Sequence, residues 1–171
     1  DIRVFGGVFL TQNQTDLDYR FRMSGYSPFA DYRHDYPYYG RNVFKDFYFQ
    51  QFIEAEGGVK SMSFSMDSWS WMTAINLKAS IAPKIPVKLF ADFGLSSIHT
   101  YNFSTGQKTK SIANLFSAGI MVSLWRNAFE LYIPLAHSGT FYSSEKEVLR
   151  DIRFVFDLTK VNYRNISRKI K

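Results

Sequence analysis

Residues Trp71 to Ile81 read WMTAINLKASI, and their alternation decides the fold class. The odd positions are Trp71, Thr73, Ile75, Leu77, Ala79 and Ile81; the even ones are Met72, Ala74, Asn76, Lys78 and Ser80. One face is apolar and the other increasingly polar, which is the signature of a strand between two unlike environments. Four more segments repeat it. Val87, Leu89, Ala91, Phe93 and Leu95 oppose Lys88, Phe90, Asp92, Gly94 and Ser96. Phe116 to Leu124, Phe129 to Leu135 and Ile152 to Leu158 each carry one clean apolar face. Ile2 to Leu10 is a sixth candidate, with a bulge or kink expected at Gly6-Gly7. Leu17 to Ser24 is a seventh; Phe44 to Phe52 and Val59 to Phe64 are weaker.

Composition agrees. The chain has 171 residues, about one domain. It is 46% hydrophobic and 21% charged, which excludes a disordered tail. Its 17 Phe, 11 Tyr and 3 Trp make it 18% aromatic, pointing to strands, a membrane interface, or both. No cysteine is present, so disulfides, thiolate zinc sites and Cys nucleophiles are excluded. The net charge is +6, part of it in a basic tail over 160–171 that includes Arg164, Arg168, Lys169 and Lys171. That tail reads as solvated, with attraction to anionic head groups or phosphates as the sharper alternative. No apolar run is long enough for a membrane helix: Asn114 to Leu135 is broken by Arg126 and Glu130. The start at Asp1 suggests a piece of a longer polypeptide.

Connections alternate in length. Ala82 to Pro86 is short and Arg126-Asn127 fits a two-residue turn, whereas Gly25 to Asn42, Ser97 to Ile112 and His137 to Leu149 read as long polar loops. Short turns at one end and long loops at the other organise an up-and-down barrel of the outer-membrane type. A soluble β-domain shares the alternation, but its apolar face points inward. Aromatic residues near strand ends (Trp71, Phe116, Phe129) favour the barrel, as do strands of roughly 9–11 residues and a final strand close to the C-terminus. The expected fold is therefore an all-β, antiparallel up-and-down barrel spanning 1–171, of about eight strands, or the C-terminal part of a larger one. Lys78, Lys88, Asp92, Glu130, Arg153 and Asp157 would then face the lumen and pair. The first pairs expected are Lys78 or Lys88 with Asp92, and Glu130 with Arg153.

The residues offer no catalytic constellation. A His-Glu-x-x-His helix, a Gly-x-Ser-x-Gly elbow and phosphate-binding glycine loops are all missing. His34, His99 and His137 are too scattered to support a three-histidine metal site, and Asp31, His34 and Asp35 fit a polar loop better than a metal or acid–base site. Glu54 and Glu56 flank Gly57-Gly58 and read as a turn rather than a carboxylate pair. The aromatic residues are not interleaved with Lys and Arg on one surface, so no nucleic-acid partner is expected. No catalytic, cofactor-binding or metal residue is assigned.

Several segments together carry a family resemblance: Phe5 to Leu10, Tyr38-Tyr39-Gly40-Arg41, Phe49-Gln50-Gln51, Ala55-Glu56-Gly57-Gly58-Val59-Lys60, Trp71, Leu89-Phe90-Ala91-Asp92-Phe93-Gly94, Phe129-Glu130-Leu131-Tyr132-Ile133-Pro134-Leu135 and Ile152-Arg153-Phe154. Their order and spacing, from Ile2 to Leu158, resemble the C-terminal β-barrel-like region of large gluzincin-type (aminopeptidase-like) metallopeptidases of Gram-negative bacteria. In that family the zinc site lies in a separate upstream domain. The resemblance implies a non-catalytic region that anchors or scaffolds a larger exported protein in the bacterial outer membrane. Its partners would be membrane lipid, the upstream part of the same polypeptide and other outer-membrane proteins. The competing expectation is a soluble β-domain acting as a binding or interaction module.

Overall fold

The computed structural model of the chain describes residues 1–11, 20–27, 38, 50–61, 66–83, 85–101, 107–125, 127–138, 152–157 and 160. Six strands follow in chain order: β1 Ile2–Val8, β2 Trp71–Ser80, β3 Val87–Tyr101, β4 Lys108–Leu124, β5 Phe129–His137 and β6 Arg153–Phe156. They form one antiparallel sheet in the order β1-β2-β3-β4-β5-β6 that curls into half a barrel. Each strand pairs with its neighbour in sequence, so the sheet is a meander. Five of these strands lie on the segments whose alternation marks them, β3 and β4 in their inner parts only, and β1 lies within the sixth candidate.

The two ends of the sheet differ as the connection lengths predict. Residues 81–86 join β2 to β3, and Trp125 to Ala128 join β4 to β5. In the second turn Trp125 (φ 49) and Asn127 (φ 66) take left-handed backbone, and the Ala128 amide donates to the Trp125 carbonyl at 3.2 Å. The connections expected to be long lie at the opposite end. One of them differs from expectation. Ser97 to Ile112 is not a long loop: pairing continues from Ser97↔Ile112 through His99↔Lys110 to Tyr101↔Lys108. β2 stops pairing at Met72↔Ser96, so this part of β3 and β4 stands beyond β2 as a two-stranded ribbon. A ribbon beyond the apolar band has no face to keep apolar, and its Ser, Thr, His and Lys residues read as loop.

Gly6-Gly7 also differs. The β1–β2 register runs through Gly6↔Thr73 and Gly7↔Met72 without a shift, so there is no bulge there. A Cβ at Gly7 would stand 2.6 Å from the Phe21 ring; the glycine serves close approach instead. The register shift lies between Ala118 and Gly119, where Ala118 faces Ala136 and Gly119 faces Pro134. Leu135 is the extra residue. A Cβ at Gly119 would meet the Ile133 carbonyl oxygen at 2.1 Å, so the bulge needs that glycine. Leu135 and Ala136 are consequently both exposed, side by side.

The sheet's convex face carries Ile2, Val4, Ile75, Leu77, Leu89, Phe93, Phe116, Leu124 and Phe156, all exposed. Its concave face is covered by residues 20–27, 50–61 and 66–70. Two small apolar clusters seal this layer. Met23 and Val59 pack on Met72 and Leu115, and Phe52 packs with Phe90, Met121 and Tyr132. Of the expected strands Leu17 to Ser24 and Phe44 to Phe52, only single bridges occur among the described residues, Phe21↔Ser68 and Gln51↔Phe154; positions 17–19 and 44–49 lie outside them. Val59 to Ser61 is not strand, and 62–64 lie outside the described residues. The parallel bridge at Gln51 occupies the outer edge of β6: the Phe52 amide donates to the Phe154 carbonyl at 2.9 Å, and the Phe154 amide to the Gln50 carbonyl at 3.2 Å. Among the described residues β1 and β6 do not pair with each other. Of the basic tail, only Lys160 is described, and it pairs with Asp157 at 3.3 Å.

Candidate functional site

Between the two apolar clusters the concave face is charged. Register places Asp92 of β3 directly opposite Asn76 of β2, and Lys78 opposite Phe90. Alternation turns all four side chains inward. The covering segment turns sharply at Glu56 (φ 50) and Gly58 (φ 61), and a Cβ at Gly57 would sit 2.4 Å from the Met23 carbonyl oxygen. That turn delivers Lys60 into the sheet. The Lys60 side chain is wholly enclosed; its Nζ lies 2.5 Å from Glu54 Oε1 and 3.1 Å from Asp92 Oδ1. The Lys60 amide donates to Asp92 Oδ2 at 3.1 Å. Asn76 Nδ2 donates to Asp92 Oδ1 at 2.9 Å and to the carbonyls of Gly57 and Gly58. Asn76 Oδ1 accepts from Arg3 Nη1 at 2.7 Å.

Glu54 links this pair to a second one. Its Oε2 lies 2.6 Å from Lys78 Nζ, which also reaches Glu130 Oε2 at 3.2 Å. The Tyr132 hydroxyl donates to Glu130, and its ring lies 5.1 Å below Lys60 Nζ and 5.4 Å from Lys78 Nζ. Burial opposes ionisation of Glu54, but the Lys60 and Lys78 ammoniums and their hydrogen bonds outweigh it and hold its pKa below the usual carboxylate value. Two cations and three carboxylates thus bind the covering segment to β2, β3 and β5 through charge-assisted hydrogen bonds.

Opposite charges do meet inside the sheet, but in other pairs than the sequence suggested. Asp92 pairs with Lys60 instead of Lys78 or Lys88, because its cross-strand neighbour is Asn76 and Lys60 arrives from above. Lys88 lies near the turn end and donates to Asn127 Oδ1 at 3.3 Å. Glu130 faces Val155, not Arg153, and turns to Lys78. Arg153 faces Tyr132, is fully buried, donates to the Ser24 carbonyl at 3.1 Å and stacks on Phe52 with its guanidinium carbon 4.4 Å from the ring centroid. Glu54 and Glu56 are not a working pair either. Glu56 accepts from the Tyr26 hydroxyl at 2.8 Å and from the Arg22 amide.

A smaller buried site ties down the other cover. Asp67 accepts from the Met23 amide at 3.1 Å and pairs with Arg20 at 3.2 Å. Burial nonetheless pushes its carboxyl up to about 6.

No group of three metal-ligating side chains occurs among the described residues. His99 faces Lys110 and His137 faces Ser117, seven positions apart along β4 or about 24 Å of strand. Asp31, His34 and Asp35 lie outside the described residues. Glu54, Lys60 and Asn76 are the members that sequence reasoning missed. A signal was present, since Glu54, Glu56 and Lys60 bracket a double glycine, but they follow no period and so fall on no face.

No known protein family, curated protein or solved structure matches this chain.

Proposed function

We propose that this chain is a non-catalytic outer-membrane β-barrel region, of about eight strands when closed, that anchors or scaffolds a larger exported protein. The observation that carries the reading is the inversion of the sheet. Ile75, Leu89, Phe93 and Phe116 are exposed on the convex face, while Lys60, Asp92, Glu130 and Arg153 are buried beneath the concave one. A water-soluble sheet places these two sets the other way round, because an exposed apolar band and enclosed charges are each unfavourable in water. In lipid the arrangement is the favourable one. The band from Phe116 to Leu124 is about 27 Å of strand, or about 21 Å in height at a tilt near 40°. That is close to the roughly 25 Å apolar band of such barrels. Trp125, exposed in the β4–β5 turn beside Phe129, whose ring in turn meets Phe156, suits an interfacial aromatic girdle.

The parent would be a peptidase-like protein on the strength of the motif order alone. The network described above is occupied with its own ion pairs and leaves no carboxylate poised for chemistry. The chain by itself is expected to lack hydrolase activity with or without added zinc.

The absence of cysteine makes a direct test simple. A single cysteine at Leu89, labelled with an environment-sensitive fluorophore, is placed in lipid vesicles containing spin-labelled acyl chains. Strong quenching with blue-shifted emission is expected. Unquenched, water-like emission from a chain that stays soluble without detergent would overturn the membrane reading and favour a soluble β-domain whose apolar face docks on another protein.

A further inference from the structure

We draw no further inference here: the strongest candidate, the apolar trough across the convex face from Leu77 of β2 over Ala91, Ala118 and Ala136 to Leu135 of β5, lies within the band that the membrane reading already gives to lipid, and nothing in the structure shows what else covers it.

Discussion

Replacing Lys60 by methionine removes an ammonium with no exposure to solvent and leaves the equally enclosed Asp92 carboxylate behind. At the observed 3.1 Å and an effective dielectric near 20, the lost attraction is about 5 kcal/mol before solvation is counted. Asn76 Nδ2 and the Lys60 amide still donate to Asp92, so part of its charge remains compensated. The expected net cost is about 3–5 kcal/mol, the range for stranding one member of a buried pair. Asp92→Asn alone should cost a similar amount by stranding Lys60, softened by Glu54 at 2.5 Å. The double variant K60M/D92N should be much less unstable than the sum of the two, because the pair's attraction offsets little more than its desolvation. Denaturant unfolding in micelles measures all four states. A Lys60→Met cost under about 1 kcal/mol, with coupling indistinguishable from zero, would mean water reaches the pair. The enclosed network would then be refuted.

Leu89→Arg, mid-strand on the convex face, should destabilise the chain in vesicles by about 2–4 kcal/mol; a change near zero would place that face in water. Lys78 and Glu130 should couple measurably in a double-mutant cycle and Glu130 with Arg153 should not, since only the first two touch; the reverse pattern would contradict the register. Asp67, with its folded pKa near 6 against an ordinary 3.8, holds its proton more tightly when folded, so its site is most stable below about pH 4 and loses on the order of 3 kcal/mol as pH rises through 6. Glu54 acts in the opposite sense and only below its ordinary 4.5, so it does not offset Asp67 between about 4.5 and 6. Exchange protection of the Met23 amide, corrected for intrinsic rates, should therefore rise on acidification from pH 7 to 5; a fall would reverse the assignment. Gly94→Ala places a Cβ 2.2 Å from Met23 Sδ and should cost about 1–3 kcal/mol, with Met23→Ala in the same chain recovering part of it in a melting experiment.

The strands were readable because alternation is a property of neighbours in sequence. Ile75 and Leu77, or Leu89 and Ala91, reveal their shared face without any knowledge of what lies across from them. What lies across was not readable. Glu130 and Arg153 sit on adjoining strands, yet the register offsets them and Lys78 captures Glu130 from across two intervening strands. Lys60 was invisible for another reason: it comes from a non-periodic segment whose fold over the sheet depends on the Gly57-Gly58 turn and on Met23 fitting against Gly94. Gly7 misled for the same reason, because the Phe21 ring from that covering layer explains it; nothing in the structure explains Gly6. The polar tops of β3 and β4 were lost because pairing there follows from the ladder below and not from side-chain pattern.

Roughly 60 residues separate Val8 from Trp71, whereas six separate Ser80 from Val87. By chain statistics alone, closing the longer connection costs about 2 kcal/mol more. β2 to β5 can therefore zip locally, hairpin by hairpin. β1 is expected to wait until residues 20–27 of the intervening chain have been gathered into the concavity, since Gly7 docks against Phe21. On this entropy alone the first strand in the sequence is expected to be the last to join, which makes the β1–β2 seam the youngest part of the folding sheet.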